Sequence, residues 1–154
     1  MNKLIILAGL PGTGKSFYEK NNIKEDHITI SSDEIRIKLT GSYDKMLPNM
    51  NLVYDKMIEE ANKAFLNSNQ TVVLDSTFLD EARRTYFLDR IKGQDYTELV
   101  LLHASIETVL MRNHKRIKSK WVPEEVIKEM MTRYKEPANE EKLRYNKIIN
   151  IDFE

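Results

Sequence analysis

The sequence has no cysteine. That excludes a disulfide scaffold, thiol catalysis and cysteine-ligated zinc or iron–sulfur centres. It has no excess of either charge: 24 Lys and Arg balance 24 Asp and Glu. A uniformly basic binder is therefore excluded, although a zero sum leaves local basic patches open. The three histidines, His27, His103 and His114, are scattered, and no pair has the close spacing of a zinc site. Long apolar runs are missing too. The stretch from Leu4 to Leu10 falls far short of the ~20 residues that span a bilayer. Pro11, Gly12 and Thr13 break it at once, and no small-residue cleavage site follows. These absences lead us to expect an intracellular, cytoplasmic protein without a membrane partner.

What is present suits one soluble globular domain covering residues 1–154, with 41% hydrophobic and 31% charged residues. Five short apolar runs read as strands: KLIILA from Lys3, HITIS from His27, TVVLD from Thr71, TELVLLH from Thr97 and KIINI from Lys147. Between them lie helical patterns at 15–21, 33–39, 49–67, 80–92, 106–117 and 123–135. In the longest, Val53, Met57, Ala61, Ala64 and Phe65 recur at helical spacing. Strand–helix alternation predicts an α/β fold, with a five-stranded, mostly parallel sheet and helices on both faces.

Residues Gly9 to Ser16 read GLPGTGKS, a full match to G-x-x-x-x-G-K-[ST] between an apolar strand and a helix. In such a P-loop, Gly12 and Gly14 let the chain turn so that the N–H groups of Thr13 and its neighbours converge on one phosphate. The helix adds its positive N-terminus. Lys15 is placed for the β- and γ-phosphates, and Ser16 for Mg²⁺. Nucleoside triphosphate binding is the expected function, with ATP and Mg²⁺ as the pair.

No N-K-x-D base-reading motif is present, as a GTPase switch would need, and the chain is short for a motor ATPase. A compact kinase type remains. It requires a base, a phosphate clamp and a means of excluding water. Asp33, just after the second strand, is the candidate base, with Arg36 three residues on to hold an anionic acceptor. A capping box of Ser31 and Glu34 explains that stretch equally well. Asp75 ends the third strand, where a Walker-B carboxylate orients Mg²⁺; capping of the following turn is the plainer alternative. RNHKRIKSK, residues 112–120, holds five Lys or Arg and one His in nine positions. In a helix, Arg112 and Arg116 share a face and form a lid over the phosphates; a solvated basic face is the plainer alternative. The lid is expected over about residues 106–122, with Trp121 packing its outer edge.

Four blocks carry a resemblance that runs from Lys3 to about Lys135: GLPGTGKS; Ser32-Asp33-Glu34-Ile35-Arg36; Leu74-Asp75-Ser76-Thr77 with Glu81 and Arg83-Arg84; and Arg112-Asn113-His114-Lys115-Arg116 leading to Val122-Pro123. In these the chain resembles the 5′-kinase domain of bacteriophage-type polynucleotide kinases, within the small P-loop kinases that include zeta toxins. The resemblance implies an ATP-dependent transfer to the 5′-hydroxyl of a polynucleotide or oligonucleotide end. It implies Asp33 as general base, Arg36 on the acceptor phosphate, Arg116 as lid arginine, Asp75 at the end of the Walker-B strand and acceptor contacts at Thr77. The chain departs from the family at Ser76-Thr77, where Thr-Asn is usual. Ser32 stands where an arginine can precede the base, and the D-x-D-G-T phosphatase motif is absent. The residues themselves leave three functions open: a polynucleotide kinase; a kinase of a nucleoside, sugar or antibiotic; and a non-catalytic ATP-binding module.

Overall fold

The computed structural model describes residues 1–153. Its elements are β1 (Lys3–Gly9), α1 (Lys15–Asn22), β2 (Ile28–Ser31), α2 (Ser32–Thr40), α3 (Asn51–Ala64), β3 (Thr71–Ser76), α4 (Glu81–Arg90), β4 (Tyr96–Ala104), α5 (Ile106–Lys115), α6 (Glu124–Arg133), α7 (Asn139–Lys142) and β5 (Lys147–Phe153). The strands form one sheet in the order β2-β3-β1-β4-β5, and every pairing is parallel. Each crossover therefore passes over a face, which is why the strands are separated by helices.

Alternation along β1 divides its side chains between two cores. Leu4, Ile6 and Ala8 face Val53, Met57, Ala61, Phe87 and Ile91 of the α3–α4 side. Ile5 and Leu7 face Tyr18 and Ile23 of the α1 side. From Leu4 to Ala8 β1 is thus apolar because both its faces are covered. Among the described residues no helix is long and apolar enough to cross a membrane.

The helices agree with the expected ones, with two differences. The lid helix stops at Lys115, and Arg116 is its extended cap at φ −76°, ψ 163°. Its segment returns to α6 because buried Asn113 brackets Val122: the amide Nδ2 donates to the Val122 carbonyl at 2.7 Å and Oδ1 accepts from its N–H at 2.9 Å. A short 3₁₀ turn spans Lys118–Lys120. The second difference is α7, a single turn that the sequence pattern does not announce.

That turn exists to deliver Glu141. Arg84 is fully buried on α4, and its Nε and Nη2 donate to the Glu141 carboxylate at 2.7 and 3.0 Å. Nη1 donates to the Phe78 carbonyl and Nη2 to that of Lys135, each at 2.9 Å, while the Tyr145 hydroxyl donates to Glu141 at 2.6 Å. Phe78 carries a left-handed backbone at φ 46°, and the bond to its carbonyl helps hold it there. One guanidinium thus ties the turn after β3 to the chain leaving α6. Arg84, which the resemblance places in a shared block, is a structural residue.

A buried charge stripped of its partner costs about 3–5 kcal/mol. Glu141→Ala should therefore destabilise the fold by that amount in urea titration. The double change Arg84→Met/Glu141→Leu should recover most of it. A loss below about 1 kcal/mol for the single variant would contradict this role.

Candidate active site

The carboxyl ends of β1, β2 and β3 lie level, and the candidate residues gather there. Gly12 and Gly14 of the P-loop have φ of 84° and 93°, which an L side chain rarely adopts. Gly14 caps α1, so the loop amides and the helix N-terminus share one concavity. Buried Thr13 braces the loop from within, its hydroxyl donating to the Leu10 carbonyl at 2.7 Å. Lys15 Nζ lies 3.1 Å from Asp75 Oδ1, and both side chains are four-fifths buried. Asp75 therefore faces the P-loop lysine. Ser16, on the first turn of α1, is exposed.

On β2's side, Ser31 caps α2 by accepting from the Glu34 N–H at 3.4 Å. The cap and the candidate base coexist: Asp33 is on the first turn with half of its carboxylate exposed, and Oδ1 accepts from Arg36 Nη2 at 3.3 Å. Arg36 is otherwise engaged. Its buried Nη1 donates to the backbone carbonyls of Tyr43 and Lys45, each at 2.5 Å. It thereby fastens the loop between α2 and α3.

The two lid arginines diverge because the helix ends between them. Arg112 Nη1 donates to the Gly12 carbonyl at 3.0 Å, bracing the P-loop. Arg116 instead reaches the loop between α2 and α3, where Nη2 donates to the Tyr43 hydroxyl at 3.1 Å. Its Nη1 is buried and has no hydrogen-bond partner among the described residues. Trp121 fixes the Arg116 backbone, its indole N–H donating to the Arg116 carbonyl at 2.9 Å, and its ring packs 4.8 Å from His114. The ring of Tyr43 lies 5.2 Å from the Arg36 guanidinium carbon and 5.4 Å from that of Arg116. Tyr43 thus joins the two halves of the site. Sequence reasoning had only the turn composition of GSYDKMLPNM to go on, and that could not single out this tyrosine.

Thr77 directly follows β3, on the P-loop side of this edge. It lines a mainly apolar cavity of about 80 Å³ with Leu10, Thr13, Leu102, Met131 and Tyr134. Burial and the neighbouring Glu136 raise the Tyr134 phenol well above its ordinary value.

The residues fit a nucleoside triphosphate and its metal. The P-loop offers amides and a cation. Ser16 and Asp75 supply two oxygen donors, which suits a Mg²⁺ that retains water and phosphate ligands. Among the described residues there is no cluster of three or more His, Asp or Glu that would cage a metal alone.

Comparison with known proteins bears on the family and the fold. The AAA domain family AAA_33 matches residues 4–137. The L-seryl-tRNA(Sec) kinase of Methanococcus maripaludis is 28% identical over 171 residues, covering 96% of this chain and 63% of that protein. The chain thus spans less than two thirds of this curated relative. A chain of the Pnkp1/Rnl/Hen1 RNA repair complex superposes with a TM-score of 0.68 at 19% identity, over 86% of this chain and 43% of that one. Kti12 of Chaetomium thermophilum, solved with ADP-AlF3, gives 0.67 at 16% identity over 98% and 89%. A gluconokinase of Sinorhizobium meliloti gives 0.59 at 17% identity over 98% and 82%. At such identities the superpositions establish a shared fold.

Gly12→Ala tests the P-loop. A β-carbon there would lie 3.2 Å from the Val109 carbonyl oxygen and 3.3 Å from Arg112 Cβ, at a left-handed φ. The backbone term alone is about 1–2 kcal/mol. Calorimetry should show at least a tenfold loss of affinity for a non-hydrolysable ATP analogue, with the circular dichroism unchanged. Wild-type affinity would contradict the loop assignment.

Proposed function

Because the chain belongs to the AAA domain family AAA_33, a group of P-loop proteins, we propose that it is an ATP-dependent kinase acting on the 5′-hydroxyl of a polynucleotide or oligonucleotide end. One observation carries the reading: a P-loop lysine paired with Asp75, and a half-exposed Asp33 with Arg116 nearby through Tyr43, stand at one sheet edge. A phosphoryl donor site and a hydroxyl-acceptor site are thereby side by side. The names of two similar proteins, an L-seryl-tRNA(Sec) kinase and an RNA repair complex, support an acceptor carried on nucleic acid.

The loop amides, Lys15 and the α1 N-terminus bind the triphosphate. Ser16 and Asp75 would hold Mg²⁺, which when bound neutralises charge developing on the phosphate oxygens. Asp33 accepts the proton of the acceptor hydroxyl as its oxygen bonds to the γ-phosphorus. The bond from that phosphorus to the β–γ bridging oxygen breaks, and its electrons leave with ADP. Arg116 supplies Nη1, a buried donor free to meet the transferring phosphoryl oxygens. Arg112, braced on the P-loop, holds the lid over the phosphates and excludes water. Arg36 keeps the acceptor loop closed and orients Asp33.

The chain's zero net charge favours a second reading, a small hydroxyl acceptor served by the same residues, since nucleic-acid binders are commonly basic. The gluconokinase shares the fold.

Single-turnover transfer to a 5′-hydroxyl oligonucleotide tests the assigned roles. Arg116→Ala should slow it by about 10³–10⁵, the contribution of an arginine finger, with ATP affinity only modestly weaker. Asp33→Asn should abolish transfer and leave ATP affinity intact. Near-wild-type transfer by either variant would remove that residue from the mechanism.

A further inference from the structure

Arg116 is held at both ends. Its backbone is fixed within the lid, where its N–H donates to the Asn113 carbonyl at 3.2 Å and its carbonyl accepts from the Trp121 indole at 2.9 Å. The far end of its side chain rests on Tyr43. The Tyr43 hydroxyl accepts from Nη2 at 3.1 Å, and the ring centroid lies 5.4 Å from the guanidinium carbon. An arginine side chain is long and rich in rotamers. It stabilises developing charge at full strength only when it is held in place beforehand.

Tyr43 is fixed in turn. Gly41 ends α2 in the left-handed region at φ 87°, and the Thr40 hydroxyl donates to the Ser42 carbonyl at 2.9 Å. Arg36, on the same helix, donates to the Tyr43 carbonyl at 2.5 Å and stands 5.2 Å from its ring. The first turn of α2 carries Asp33. A short path of contacts therefore runs from the helix of the candidate base, through Arg36 and Tyr43, to the lid arginine.

The chemistry of the anchor matters. A carboxylate in this place would neutralise Arg116 and compete with phosphate for its N–H groups. A phenol accepts a hydrogen bond and offers the negative face of its ring, yet carries no charge. Among the described residues Arg116 makes no ion pair, and its buried Nη1 has no hydrogen-bond partner. The guanidinium is thus oriented without being discharged. Arg84, saturated by the Glu141 carboxylate, is the contrasting case.

We infer that Tyr43 is a positioning residue: it holds the Arg116 guanidinium, still charged, for the transferring phosphoryl group, and so ties the competence of the lid to the loop between α2 and α3. The inference rests on the kinase reading above and adds to it a residue outside both the P-loop and the lid.

The experiment is calorimetric binding of two probes with Mg²⁺: ADP, and ADP with aluminium fluoride, which stands in for the phosphoryl group in transfer. The quantity read is the ratio of the two affinities. Arg116→Ala should collapse that ratio. Tyr43→Phe removes only the hydroxyl. It should lower the ratio by about 10–100-fold, as for a lost hydrogen bond to a charged group, with ADP affinity unchanged. Tyr43→Ala, which removes the ring as well, should lose no less. The double variant Tyr43→Phe/Arg116→Ala should lose no more than Arg116→Ala alone, because the hydroxyl acts through that guanidinium. A wild-type ratio in Tyr43→Phe, or losses that add in the double variant, would overturn the inference and leave Arg116 its role. Equal weakening of both probes by Tyr43→Phe would make Tyr43 a structural support and overturn the inference too. A wild-type ratio in Arg116→Ala would overturn the inference together with the phosphoryl role of Arg116. Neither probe needs an acceptor, so γ-phosphoryl transfer judges the polynucleotide reading separately.

Discussion

The Lys15–Asp75 ion pair, at 3.1 Å, depends on the register of three parallel strands. Leu7 of β1 pairs with Asp75 of β3, and Asp75 in turn pairs with Ser31 of β2. Those alignments bring the P-loop, the Walker-B-like carboxylate and the start of α2 to one level. A one-residue slip would turn Asp75 to the opposite face and push apolar side chains out of both cores. The burial of Ile5, Leu7, Val73 and Val100 on one face, with Leu4, Ile6, Val72 and Leu74 on the other, fixes the register. Packing of the core and geometry of the site are in this sense a single constraint.

Once the edge is set, the arginines divide according to what surrounds them. Arg84 is saturated by a carboxylate and two carbonyls and serves the fold alone. Arg36 is committed to its own loop, and Arg112 braces the P-loop. Arg116 keeps a donor in reserve, buried beside Tyr43. The same guanidinium is structural or recognitive depending on whether its five N–H groups are already answered.

Much of this was legible in the amino-acid order, where the signal was local. Apolar β-branched runs marked all five strands, and GLPGTGKS marked the phosphate turn because its chemistry is contained in eight adjacent residues. Asp33 and Asp75 could be picked out because each directly follows or ends a strand. Pairing across long separations was hidden. Arg84 and Glu141 are 57 residues apart, and nothing near either announces the other. The same holds for Tyr43 and Arg116, separated by 73. The lid helix was expected through Ile117, but the Asn113–Val122 bracket ends it at Lys115 and sends Arg116 away from Arg112.

The most direct measurement is transfer of labelled γ-phosphate from ATP with Mg²⁺. The acceptor panel is 5′-hydroxyl RNA and DNA oligonucleotides, free nucleosides and simple sugars, with Lys15→Ala as the blank. The account predicts label on the oligonucleotides and none in the blank. Label confined to a small acceptor would contradict the nucleic-acid assignment, and label on no acceptor despite tight ATP binding would contradict the kinase itself.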